Sequence, residues 1–358
     1  MINFALIGCG KIAERHSKLL AGRTIKNAKL VAVCDKLIEK AQSIGSEFNI
    51  PAYADTNEMF KSESIDAAVV LTPSGQHVND VLNLSDKVNC IIVEKPLALN
   101  IQDAEKMIFE CNKKKVKLFV IKQNRFNLPV VKLKEAITSH RLGKLTLGTI
   151  RVRWTRDQSY FDLAPWRGTW DMDGGVLANQ ASHHIDMLLW MMGEVESVFA
   201  KTMTTLVDIE SENTAVATLK FKNGALGIIE ATTATRPNNL EGSLSILGEK
   251  GTVVIAGNSV DKLQTWVFDD NKNEDTEEIS KFNENPSNVY GFGHKEYYNY
   301  LVDCLINNKQ DEIIDGSQGL KSVELISAIY ESSLLGKEIF LSSQSREIRL
   351  GQKIKNEN

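Results

Sequence analysis

The chain of 358 residues carries no block of basic residues, no apolar run long enough to cross a bilayer, no paired cysteines and no internal repeat. Each absence removes a class of function. Lysine and arginine number 42 against 46 aspartates and glutamates, a net charge of -4, so no nucleic-acid partner is expected. A spanning helix needs about 20 consecutive apolar residues, and no segment approaches that, so no membrane partner is expected either. Met1 runs straight into the strand-like IleAsnPheAlaLeuIleGly rather than a charged leader and cleavage site, which makes a cytoplasmic location the expectation. Cys9, Cys34, Cys90, Cys111 and Cys304 are odd in number and scattered without a CxxC, which fits reduced, buried thiols better than a disulfide framework or a zinc site. Hydrophobic residues at 42% and charged residues at 25% exclude a disordered chain.

What is present is an ordered alternation. Strand-like runs at 2–8, 29–35, 66–72, 89–94 and 117–122 are separated by helix-like segments at 12–21, 36–48, 76–86 and 101–114. Such a βαβ series makes a parallel sheet covered on both faces, and continuously apolar runs such as DAAVVLT fit that burial. Past residue 125 the pattern becomes one helix and then β-prone runs at 144–154, 195–205, 214–221, 225–234 and 242–256, with turn signals at 222–224 and 248–251. Short connections of that kind make the second sheet mostly antiparallel. The fold class is therefore α/β, a parallel βαβ domain over 1–124, which the GxGxxA spacing of Gly8, Gly10 and Ala13 marks as a dinucleotide-binding domain of Rossmann type, followed by an α+β domain with a large open sheet over 125–345. An exposed acidic loop is expected at 269–288, helices at 294–307 and 317–335, and a polar tail at 346–358.

Gly8, Gly10 and Ala13 have GxGxxA spacing directly after a strand and at the opening of a helix. Gly8 permits the tight turn, Gly10 admits a pyrophosphate, and Ala13 allows close packing. The free N–H groups around Lys11 and Ile12, with the helix dipole, hold the phosphates. Asp35 ends the second strand, where a carboxylate accepts the ribose hydroxyls and repels a 2′-phosphate, so NAD is preferred over NADP. The competing reading is that Asp35 only caps the next helix. LeuThrProSerGlyGlnHis at 71–77 and GluLysProLeuAla at 94–98 fall at later strand ends, where open α/β sheets bind ligands. That makes Leu71, Thr72, Pro73, His77, Glu94 and Lys95 further cofactor-site candidates.

These motifs, together with GlyGly at 174–175 and the following AsnGlnAlaSerHisHisIleAsp, make the chain resemble the Gfo/Idh/MocA oxidoreductases over nearly its whole length. The resemblance implies that Lys95 lies beside nicotinamide and substrate, often ahead of a cis proline. It implies that Gln123 lies near the nicotinamide, Asn124 or Arg125 near the substrate, and that the second sheet forms the substrate wall and an oligomer interface, giving a homodimer or homotetramer.

From Asn179 onward the sequence reads as one helix ending at Gly193, so that Asn179, His183 and Asp186 share a face and His184 turns away. Oxidising a secondary alcohol needs a base, and histidine is suited to it. His183 matches the family's histidine and is expected to be the general base, with Lys95 polarising the oxygen. Many relatives carry Asp where this chain has Asn179. An amide cannot share a proton as a carboxylate can, which argues against a literal Lys-Asp-His relay; Asn also occurs here in relatives that oxidise nucleotide sugars at C3, so the resemblance admits that substrate class. A metal site at His183, His184 and Asp186 lacks a third ligand at recognisable spacing, so no metal is expected. His184 is read as a packed or interface histidine and Asp186 as orienting a neighbour.

Trp166 offers a stacking face and Arg167 a donor fork for hydroxyls, carboxylate or diphosphate, unless the two form a core corner. Arg151, Arg153 and Arg156 are equally a solvated face. The expected activity is NAD-dependent oxidation of a secondary hydroxyl of a sugar or nucleotide sugar to a ketone. Inositol or free-sugar oxidation and a non-catalytic NAD-binding regulator are the alternatives, with a lyase or carbon–nitrogen reaction behind them.

Overall fold

The computed structural model describes residues 1–22, 24–257, 260–270, 292–309, 313–341 and 348–353. The chain divides into two compact units. The first comprises Met1–Ala98, Gln102–Ile121 and Lys295–Leu320, the second Leu99–Ile101, Lys122–His294 and Lys321–Asn358.

In the first unit, β1 (Ile2–Ile7), β2 (Ala28–Cys34), β3 (Ala52–Tyr53), β4 (Ala67–Val70), β5 (Cys90–Val93) and β6 (Lys117–Val120) form a sheet in the order β3-β2-β1-β4-β5-β6. Every pairing is parallel. All four residues of β4 and of β5 are buried, as the unbroken apolar runs require when helices cover both faces. The helices are α1 (Ala13–Ala21), α2 (Ile38–Phe48), α3 (Thr56–Ser62), α4 (His77–Leu84) and α5 (Ile101–Lys113). The short β3 and α3 were not expected. Asp55 starts α3 by accepting from the N–H groups of Asn57 and Glu58 at 2.8 and 3.1 Å.

The second unit contains α6 (Leu128–Thr138), β7 (Leu145–Arg153), α7 (Gln158–Asp162), α8 (Ser182–Met192), β8 (Val195–Met203), β9 (Thr214–Phe221), β10 (Leu226–Thr232), β11 (Glu241–Gly248), β12 (Gly251–Ala256), β13 (Lys262–Phe268) and β14 (Ile339–Phe340). Its sheet runs β13-β12-β11-β7-β10-β9-β8-β14, antiparallel except for the β7–β10 pair. The expected run 242–256 is a hairpin, β11 to β12, turning at 249–250. β13 and β14 were not expected. Residues on β9 alternate buried and exposed, so one face of this sheet carries the core and the other is open. Gly148 on β7 is the point of closest approach of α8: a Cβ there would lie 2.7 Å from Met192 and 2.8 Å from Leu188. Of the later helices, α9 (Gly293–Ile306) belongs to the first unit from Lys295 on, and α10 (Gly316–Leu335) belongs to the first unit up to Leu320 and to the second from Lys321.

The acidic stretch at 269–288 lies outside the described residues from 271 onward, as does the end of the tail from 354. The start of the tail corrects the expectation of a polar, loose end. Ile348 and Leu350 belong to the second unit's core, and the Gly351 N–H donates to the Trp170 carbonyl at 2.7 Å. Two apolar side chains in a polar context suffice to anchor the segment.

Candidate active site

The glycine turn of the first unit is built as the spacing demands. Gly8 has φ +95°, and a Cβ on it would lie 2.8 Å from the Leu71 carbonyl carbon and 2.9 Å from the Thr72 nitrogen. Gly10 differs: nothing lies within 4 Å of where its Cβ would be. Among the described residues the N–H groups of Gly10, Lys11 and Ile12 have no partner within the protein. Three free donors at a helix start, with open space in front of them, fit a pyrophosphate.

Asp35 closes this turn from the side. One carboxylate oxygen accepts the Cys9 N–H at 2.7 Å and the other the Leu37 N–H at 2.9 Å, so it braces the glycine turn and leads into α2 at once. Burial, reinforced by Asp35, pushes the Cys9 thiol up to about 12. All five cysteines are free and buried.

The side chains of His77 and Glu94 both make hydrogen bonds within the protein. The His77 ring is buried, with Nδ1 2.9 Å from the Pro96 carbonyl and Nε2 3.0 Å from that of Thr72, so it ties two strand ends together. Burial lowers its pKa against the pull of those carbonyls. Glu94 meets His16 Nε2 at 3.1 Å and accepts the Lys95 N–H at 2.9 Å, while His16 Nδ1 meets the Tyr298 hydroxyl at 2.6 Å. The peptide between Lys95 and Pro96 is cis. His16 escaped the sequence reading, although a histidine within an otherwise ordinary first helix turn, three residues past Ala13, was the available signal.

In the second unit, the turn Gln123–Phe126 follows β6 and carries three buried polar side chains in a row, Gln123, Asn124 and Arg125. Gln123 Nε2 lies 2.9 Å from His183 Nε2 on α8. His183 is half-buried, while its neighbour His184 is enclosed, edge-on to Trp154 at 5.9 Å, and pushed down to about 4 by burial.

Arg125 is buried and turned onto α8. Its Nε and Nη2 each donate to Asp186 at 2.8 Å, and Lys122 pairs with the same carboxylate. Burial alone would raise Asp186, but the two cations hold its carboxyl well below the usual range. Lys122 is pushed down to about 8 by burial, against the attraction of Asp186. Lys122 was not anticipated, although a lysine closing the apolar run LeuPheValIle, with a lone aspartate in the apolar α8, was a signal that two charges must meet.

Asn179 is also corrected. The helix begins at Ser182, and Asn179 lies in the turn before it, where the Ala181 N–H reaches back to the Val176 carbonyl at 2.7 Å, one residue further than an α-helix allows. Its amide donates to the buried Asp173 carboxylate. Behind this turn Glu212 accepts from the Leu177 N–H at 3.0 Å and from the Tyr330 hydroxyl at 2.9 Å, and burial pushes it up to about 7. Trp166 and Arg167 are half-buried and stacked on each other, the guanidinium 4.8 Å from the indole centre.

Residues 2–122 match the family model described as the oxidoreductase family's NAD-binding Rossmann fold, and residues 134–339 that of the same family's C-terminal alpha/beta domain. The WlbA dehydrogenase from Chromobacterium violaceum, solved with NADH and UDP-GlcNAcA, is 38% identical, with TM-score 0.88 over 95% of this chain and 96% of that one. The Bordetella pertussis WlbA dehydrogenase, solved with the same two ligands, is 38% identical, with TM-score 0.86 over 95% and 99%. Myo-inositol 2-dehydrogenase of Thermotoga maritima is 32% identical over 262 residues, 70% of this chain and 74% of that protein. Among the described residues no helix is long and apolar enough to cross a membrane.

Proposed function

The chain belongs to the Gfo/Idh/MocA oxidoreductase family, and on that premise we propose that it is an NAD-dependent dehydrogenase oxidising a secondary hydroxyl of a nucleotide sugar to a ketone. The observation that carries the substrate class is the likeness at 38% identity, across 95% of the chain, to a dehydrogenase solved with NADH and UDP-GlcNAcA. Gly8, Gly10, Lys11, Ile12 and Asp35 would hold NAD, which when bound would supply the hydride acceptor.

His183 takes the hydroxyl proton. The Gln123 side-chain amide, 2.9 Å from His183 Nε2, fixes the orientation of the ring. Lys95 polarises the same hydroxyl oxygen and stabilises its developing negative charge. Leu71, Thr72 and Pro73 line the cofactor side, Asn124 and Trp166 the substrate side, and Asn179 orients hydroxyls from the turn before the helix. Arg125 acts through Asp186 as a support.

Inositol oxidation is the second reading, favoured by the likeness to myo-inositol 2-dehydrogenase, which covers less of the chain at lower identity. Phe199, Val216, Leu226 and Ile228 are exposed on the strands of the open sheet, which supports pairing of copies through that face, to be tested by light scattering. The deciding experiment follows NADH formation with UDP-GlcNAcA, UDP-GlcNAc, myo-inositol and free hexoses. Turnover of a UDP-sugar above the others supports the proposal. A preference for myo-inositol favours the second reading, and NAD binding without turnover of any compound favours a regulator.

A further inference from the structure

Five side chains of the second unit form an unbroken series of rings and guanidinium groups. Arg156 stands over the Trp154 ring at 5.5 Å and over the Tyr160 ring at 5.0 Å. Arg167 stands over the same Tyr160 ring at 4.3 Å and over Trp166 at 4.8 Å. The series starts at α8, because Trp154 packs against His184, the residue next to His183.

What these two arginines lack is acceptors. Arg153, the last residue of β7, shows the ordinary arrangement: it donates to Glu230 at 2.6 and 2.8 Å and to Glu241 at 3.2 Å. Arg156 donates once, to the Thr155 carbonyl at 2.6 Å. Among the described residues Arg167 has no acceptor, neither arginine has a carboxylate partner, and the Nε of each is buried without a partner. Arg236 adds a third guanidinium, donating to the carbonyls of Thr233, Thr235 and Arg156. Asp157 lies beside them in the chain, but its carboxylate caps α7, accepting from the Ser159 hydroxyl and the Tyr160 N–H.

Ring faces hold a guanidinium in place without satisfying its N–H groups, and two like charges over one phenol repel each other. An anion with several oxygens removes both costs, and the planar fork matches phosphate and carboxylate alike. We propose that Arg156 and Arg167, held by Trp154, Tyr160 and Trp166, form an anion subsite that takes the diphosphate or a carboxylate of the substrate. This rests on the nucleotide-sugar reading and narrows it, since a neutral polyol has no group to place there.

The test titrates the full-length protein, loaded with NAD, with UDP, UDP-GlcNAc, UDP-GlcNAcA and glucuronate by calorimetry. R167Q and R156Q should each weaken UDP-GlcNAcA about tenfold or more, with NAD affinity and melting temperature unchanged. Arg167→Lys, which keeps the charge and loses the fork, should weaken it less than R167Q. Arg151→Gln is the control, because Arg151 already faces Glu230 and Glu241. A loss shared by UDP and UDP-GlcNAc assigns the diphosphate; a loss confined to UDP-GlcNAcA and glucuronate assigns a carboxylate. Equal affinities in both variants, or no binding of any of these anions to the wild type, overturns the subsite. Since binding is read rather than turnover, a nucleotide sugar that binds through Arg167 and is never oxidised would contradict the dehydrogenase reading alone.

Discussion

Gln123 Nε2 and His183 Nε2 stand 2.9 Å apart, so the turn after β6 and the start of α8 meet at the proposed base. The same two segments meet again one helical turn on, where Asp186 grips Lys122 and Arg125 on either side of Gln123. The amide at the proposed base is thus flanked by two residues whose side chains are tied to α8 through Asp186.

Gln123→Leu removes the donor and leaves the clamp. Turnover of the proposed substrate should fall about tenfold, the scale of losing one oriented hydrogen bond in a proton-transfer site, while the melting temperature stays at the wild-type value. Steady-state kinetics with a thermal melt separates the two readouts.

Asp186→Asn leaves two buried cations without a counter-charge, which costs about 3–5 kcal/mol of folding stability. Urea unfolding measures it. A loss below about 1 kcal/mol, the range of exposed pairs, would mean the cluster is hydrated.

Glu212 makes stability fall as pH rises. Its folded pKa, about 7, exceeds the ordinary 4.5, so between those values the native state holds a proton that the unfolded chain has released. Unfolding free energy should decline across that window by up to about 3 kcal/mol, and Glu212→Gln should flatten the decline. Asp186 acts oppositely and at lower pH: its depressed pKa gives stability that is present above the ordinary carboxylate pKa and is lost as pH falls below it.

Gly8 and Gly10 should respond differently to the same methyl group. Gly8→Ala meets backbone at 2.8 Å and a φ of +95°, so it should destabilise the first unit by about 1–3 kcal/mol. Gly10→Ala meets no protein atom within 4 Å, so it should fold normally and lose NAD affinity. Calorimetric NAD titration beside a thermal melt distinguishes them.

Asp35→Ala should relax the preference for NAD over NADP about tenfold or more, by removing a charge that repels the 2′-phosphate. An unchanged ratio of the two affinities would reduce Asp35 to its bonds with Cys9 and Leu37.

The conformation of the glycine turn and the parallel character of the first sheet were legible because each depends on residues close in the chain. Asn179 was misplaced on the helix because i, i+4 spacing says nothing about a turn wound one residue wider, with its amide drawn to Asp173. Arg125 looked available for a ligand because its partner is 61 positions away. The two-residue β3 and β14 are too short to show a period, and Ile348 and Leu350 were hidden by polar neighbours. Long-range pairing of charges, rather than local propensity, accounts for most of what was missed around the site.

The most direct test compares wild type with His183→Ala and Lys95→Ala, measuring NADH formation from UDP-GlcNAcA together with NAD affinity. Each variant should lose about a hundredfold or more in turnover, the scale of removing a positioned base or the charge at the reacting oxygen, and should bind NAD as the wild type does. A wild-type rate in His183→Ala would contradict the role of that imidazole as the base.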